Sequence, residues 1–108
     1  TSIEHGESWV DYQVFLNKGR VLFYLEKYDD ALIEFNKTLK NYDKCSEAYY
    51  YIGLSYLRLN NNYSACENLN KSYSLISQGH KASDTYVELF HEIYLQQVEQ
   101  SILENCKN

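Results

Sequence analysis

Catalysis and metal binding need a few reactive side chains at set distances, and this chain offers few such sets. His5, His80 and His91 are scattered, with no two at the four-residue spacing of a helical metal site. Cys45, Cys66 and Cys106 are widely spaced and lack the paired spacing of a zinc site or a redox CxxC. They read as free thiols in a reducing compartment. His91 beside Glu92 has the composition of a base and its orienter, but adjacent residues point about 100° apart around a helix and do not meet. No serine stands in a nucleophile motif and no glycine-rich loop offers to hold a phosphate. The expectation is no catalytic residue, no metal site and no cofactor, hence not an enzyme. Asn36, Asn62 and Asn70 begin glycosylation sequons, which matter only in a eukaryotic secretory pathway.

The chemistry that remains is recognition. Arg20 and Arg58 can pair with a carboxylate, either on a ligand or on Glu47, Glu88 or Glu92 of the same chain. The 12 tyrosines invite comparison with a stacking surface, yet most fall at helical core spacing, where a phenol can reach the edge of the core and bond water. With a net charge of −5 and no lysine or arginine block longer than a pair, the chain is a poor match for a phosphate backbone, so no nucleic-acid partner is expected. No run approaches the roughly 18 to 20 apolar residues that span a bilayer, so no membrane insertion is expected. The opening TSIEHGES is no signal peptide, and the location expected is cytoplasmic, or periplasmic if a signal peptide has been removed. The chain holds no methionine, position 1 included, which leads us to expect an excised domain or a processed chain.

These residues must be positioned by helices. At 108 residues the chain suffices for one domain with a continuous core. It has no proline and four glycines, which leaves long stretches without a breaker and predicts an all-α fold. Residues 1–7 read as a lead-in, with Ser8 an N-cap for a helix from Trp9. Val10, Val14, Phe15, Val21, Leu22 and Leu25 then recur at three- and four-residue steps. Asp29 and Asp30 offer the next N-cap, opening a helix with Ala31, Leu32, Phe35 and Leu39 inward. A third helix, Ser46 to Leu59, is apolar almost all round and carries Gly53 in its interior. Glycine there costs about 1 kcal/mol against alanine, so another helix is expected to press on that spot. Asn60, Asn61 and Asn62 break the third helix, and a fourth ends at Gly79.

Gly19 and Gly53, Leu25 and Leu59, Ala31 and Ala65, Phe35 and Leu69, and Thr38 and Ser72 are each 34 residues apart, and FNKTL matches LNKSY. On these residues the chain resembles the tetratricopeptide repeat. In its 34-residue helix-turn-helix unit, counted from Tyr12, the signature places hold Phe15, Gly19, Leu22, Ala31, Phe35 and Thr38. Counted from Ser46, they hold Tyr49, Gly53, Tyr56, Ala65, Leu69 and Ser72. The unit's usual proline near the thirty-second place is replaced by Asp43 and Ser77. Asn62 stands where Tyr28 makes an aromatic contact in the first turn, and Tyr63 is expected to swing into that gap. Two repeats, 12–45 and 46–79, cannot bury their last apolar face alone, so a capping helix over 83–106 is expected. Tyr86, Leu89, Phe90, Ile93 and Tyr94 would close over the second repeat. Leu95, Val98 and Ile102 form a second stripe with no obvious home in the chain.

The resemblance implies an α-α superhelix of two helical hairpins plus the capping helix, acting as a protein-protein interaction scaffold. Its concave groove would be lined by Gln13, Leu16, Arg20, Phe23 and Tyr24 from the first unit, and by Glu47, Tyr50, Leu54, Leu57 and Arg58 from the second. So apolar and aromatic a surface points to a peptide or helix of a partner protein, unless the C-terminal helix folds into the groove itself. The lysines and asparagines of the family's carboxylate clamp are missing, since Leu16, Tyr50, Arg20 and Leu54 stand at the corresponding places. The rival expectation is a structural or oligomerisation segment, a homodimer formed through Leu95, Val98 and Ile102.

Overall fold

Close approach of paired helices at two glycines organises the molecule. The computed structural model describes residues 2–78 and 95–106, with side chains described for 12–78 and 96–106. It is all-α: α1 (Ser2–Tyr24), α2 (Tyr28–Asn41), α3 (Ser46–Arg58), α4 (Asn62–Ser77) and α5 (Leu95–Asn105). Helices α1 and α2 form one antiparallel hairpin and α3 and α4 a second, with α3 packed between α2 and α4 and touching α1. A Cβ on Gly19 would stand 2.6 Å from Phe35 Cε1, and one on Gly53 2.7 Å from Leu69 Cγ, too close for any side chain. The missing side chains therefore set the distance within each hairpin. Around these contacts lie the buried Tyr12, Leu16, Ala31, Ala48 and Ile52, continued by Ala65 and Leu75 in the second hairpin. Ser72 Oγ donates to the Ser46 carbonyl at 2.8 Å inside this packing, tying α4 to the start of α3.

The turns repeat as faithfully as the packing. Glu26 and Asn60, 34 residues apart, both take left-handed backbone, with φ of 64° and 62°. The Lys27 N–H donates to the Leu22 carbonyl and the Asn61 N–H to the Tyr56 carbonyl, each at 2.9 Å. The Glu26 and Asn60 amides reach Phe23 and Leu57 in the same register. This is the hydrogen-bond pattern of a Schellman helix end. Asparagine suits the left-handed position, whereas glutamate is held there by the turn around it at a cost of about 1 to 2 kcal/mol.

Several local expectations are corrected. Helix α1 starts at Ser2, ahead of the expected Ser8 cap. Val14, Val21 and Leu25 are 54%, 58% and 60% exposed, because Phe15, Gly19 and Leu22 serve the contact with α2 while Leu16 and Phe23 turn into the core. Asp29 and Asp30 sit inside the first turn of α2, where their charge suits the helix dipole, and neither caps it. Asn61 does cap α4, its Oδ1 accepting from the Ser64 amide at 3.2 Å. Tyr63 does not fill the gap beside Asn62, being 77% exposed. The expected Gly79 cap and the stripe from Tyr86 to Tyr94 lie outside the described residues. Among the described residues no helix is long and apolar enough to cross a membrane.

Helix α5 packs on α4 and buries Val98 completely within the chain, so the stripe expected to be homeless has a home and Val98 is not on a free face for self-pairing. Ile102 is half-buried beside it, and the side chain of Leu95 is outside the described set. The cysteine expectation is also overturned. Cys66 in α4 and Cys106 just past α5 form a disulfide, with Cα atoms 5.7 Å apart across a separation of 40 residues. Closing a loop of that length stabilises by about 4 kcal/mol in the chain-entropy account. Cys45 is the free thiol, fully buried between α2 and α3, where burial pushes it up to about 12 and leaves it inert.

Two substitutions test this packing. Gly53→Ala should lower unfolding stability by about 1 to 3 kcal/mol, seen as an earlier denaturant midpoint at unchanged slope. Glu26→Gly should raise stability by about 1 kcal/mol by relieving the left-handed backbone, measured in the same titration.

Candidate functional site

The side chains expected to line a groove divide into a buried set and an open set. Leu16, Phe23 and Glu47 are buried, which gives them to the core and leaves only the rim of Phe23 within reach of a ligand. Gln13, Arg20, Tyr50, Leu54 and Leu57 are half-buried, and Tyr24 and Arg58 are exposed. The residue that organises the α1 side of this surface is Tyr51, which sequence reasoning left out of the site although it stands in the run Tyr49, Tyr50, Tyr51. Its ring lies 5.6 Å from Phe23 and 6.4 Å from Tyr24, both edge-on, and stacks on Phe35 at 5.8 Å. The guanidinium of Arg20 sits 5.6 Å from the same ring, and the Tyr24 and Tyr51 hydroxyls meet at 3.4 Å. Burial pushes the Tyr51 phenol up to about 12, so it stays protonated.

Near the charge of Arg20 lies Glu47, whose two carboxylate oxygens are buried and without a hydrogen-bond partner among the described residues. Burial pushes its pKa up to about 8, with the nearby Arg20 charge pulling the other way. A carboxylate stripped of water strongly favours its neutral form. The Nε2 of Gln13 is likewise buried and unpaired among the described residues.

Two clefts of about 370 Å³ open on the surface and share Arg58. One is framed by Phe23, Tyr24, Tyr28 and Glu26 at the first turn. The other runs from Leu54 and Leu57 to Asn62, and its far wall is Ser101, Glu104 and Asn105 of α5. That wall belongs to the C-terminal helix, the alternative occupant of the groove expected from the sequence, which alone does not single out these three residues. Helix α5 also reaches Tyr50, whose phenol is raised by burial and drawn part of the way back by a hydrogen bond with Ser101. Helix α5 thus stands against Tyr50, while Arg58 and Tyr24 are exposed.

No family model, no curated protein and no solved structure matches the chain. The site is therefore read from its own residues. It carries aromatic edges, aliphatic side chains and one exposed guanidinium flanked by Glu26 and Glu104, and among the described residues no cluster of three or more histidine, cysteine, aspartate or glutamate side chains could hold a metal ion. Such a set can bury apolar side chains and grip a carboxylate.

The state of Glu47 sets a pH dependence. Its folded-state value lies above that of an unfolded glutamate, near 4.3, so its full contribution is present below about pH 4 and is lost as pH rises towards 8. Between those limits stability should fall by up to about 1.4 kcal/mol per pH unit on this account. Glu47→Gln should flatten that slope and be the more stable protein at pH 8, measured by denaturant melts across the range.

Proposed function

We propose that this chain is an interaction module of tetratricopeptide-repeat type that binds a peptide or helix of a partner protein at the surface between α1, α3 and α5. The family reading is supported by two hairpins whose glycine contacts and helix ends recur 34 residues apart. The binding reading rests on one observation above all. Arg58 is exposed and common to both clefts, with Phe23, Tyr24 and Tyr28 on one side and Leu54 and Leu57 on the other. Aromatic residues and arginine carry most of the energy at protein interfaces, and a guanidinium between two apolar clefts would orient a ligand that offers an acid between two apolar anchors. The Cys66–Cys106 bond favours an oxidising compartment over the cytoplasm expected from the cysteine spacing.

A partner captured by the intact chain provides the test. Arg58→Glu should weaken its binding at least about tenfold, and Leu57→Ala by a smaller factor, with the melting temperature of Arg58→Glu unchanged. Binding that survives Arg58→Glu at full strength would move the contact surface elsewhere.

A further inference from the structure

We propose that the Cys66–Cys106 bond is a redox latch, which holds α5 as the wall of the cleft shared by Leu57 and Arg58 and releases it when reduced. The functional consequence rests on the binding reading above; the latch itself does not. Among the described residues of α5, Val98 is fully buried and Ser101, Ile102 and Asn105 are half-buried, while Glu99, Gln100, Leu103 and Glu104 are exposed, so its packing on α4 centres on Val98 and Ile102. The covalent tie sits at the end of the helix that forms the cleft. Cys106 follows directly on Asn105, which lines the cleft, and its partner Cys66 lies near the start of α4, just past Asn62 on the opposite wall. Both cysteines are half-buried rather than enclosed, so a small dithiol can reach them.

The chemistry is a thiol-disulfide exchange with a dithiol reductant. One thiolate of the reductant attacks a sulfur of the Cys66–Cys106 bond and forms a mixed disulfide, expelling the other cysteine as thiolate. The second thiol of the reductant, once deprotonated, attacks the mixed disulfide and leaves as an internal disulfide. Two electrons pass to the protein, and both cysteines end as thiols after taking up two protons. Among the described residues the 40-residue connection is then closed by the packing of α5 on α4, so the helix spends far more time undocked. Undocking takes Ser101 away from Tyr50 and removes Glu104 and Asn105 from the cleft, which leaves Leu54 and Leu57 open to a larger guest.

Hydrogen exchange on the full chain, oxidised and after treatment with dithiothreitol, reads this directly. Amides of residues 98–105 should exchange roughly a hundredfold faster or more in the reduced protein, while the cores of α1 to α4 keep their protection. Cys106→Ser and the Cys66→Ser/Cys106→Ser pair should show the same pattern without any reductant. Unchanged protection of α5 in the reduced protein and in both variants would overturn the latch, and so would an equal loss across α1 to α4, which would make the bond a staple of the whole fold. A partner lost with Arg58→Glu but held equally by oxidised and reduced chains would leave the binding site standing and sink its redox control.

Discussion

Two side chains that are not there hold this structure in register. At Gly19 and Gly53 the facing helix comes so near that its large residue, Phe35 or Leu69, occupies the space a Cβ would need. Distance between helices is set by the bulkiest residue at the crossing, so removing all bulk on one side lets the other side be large and still pack at interior density. The arrangement also fixes what happens at the helix ends. With the crossing point fixed, the chain must reverse within a few residues, and it does so through the same left-handed turn at Glu26 and Asn60. That a glutamate accepts this conformation shows the turn is imposed by the packing on either side rather than chosen by the residue in it.

This part of the fold was legible because it repeats. Five residue pairs at one spacing carry the period, and the glycine contacts show the physical need behind two of the ten positions. What does not repeat was harder to read. Val14, Val21 and Leu25 have the spacing of a buried face, yet α1 turns another face inward, because apolar periodicity alone cannot say which of two neighbouring stripes meets the partner helix. The Cys66–Cys106 pairing had no local signature. It depends on α5 running back along α4 so that residues 40 apart meet, and nothing in the spacing of three cysteines reports a path of that kind. Among the groove residues, Arg58, Tyr24, Leu54 and Leu57 lie at the clefts, but the division between exposed and buried members was set by α5 and by the aromatic group around Tyr51, both tertiary facts.

Rings of Phe23, Tyr24, Phe35 and Tyr51 pack edge and face between α1, α2 and α3. The guanidinium of Arg20 lies over the Tyr51 ring and its Nη1 donates to Asn17 Oδ1 at 3.5 Å. Among the described residues the Glu47 carboxylate has no hydrogen-bond donor, and burial pushes its pKa up to about 8 with the Arg20 charge pulling the other way.

The place of α5 follows from the face it covers. Helix α3 packs on α2 and touches α1; α5 in turn packs on α4 and touches α3 through Tyr50 and Ser101. It therefore stands to the second hairpin as the first helix of that hairpin stands to the one before. By the 34-residue count, however, residues from 96 onward correspond to α4, the second helix of a unit, so the chain reaches this position out of phase with its own repeat. A helix that arrives out of phase cannot bring the glycine-to-large-residue contact that joins the hairpins internally, and α5 has none. Among the described residues its hold on α4 centres on Val98, the half-buried Ile102 and a bond between two cysteines, and the covalent link lies where the repeating packing ends.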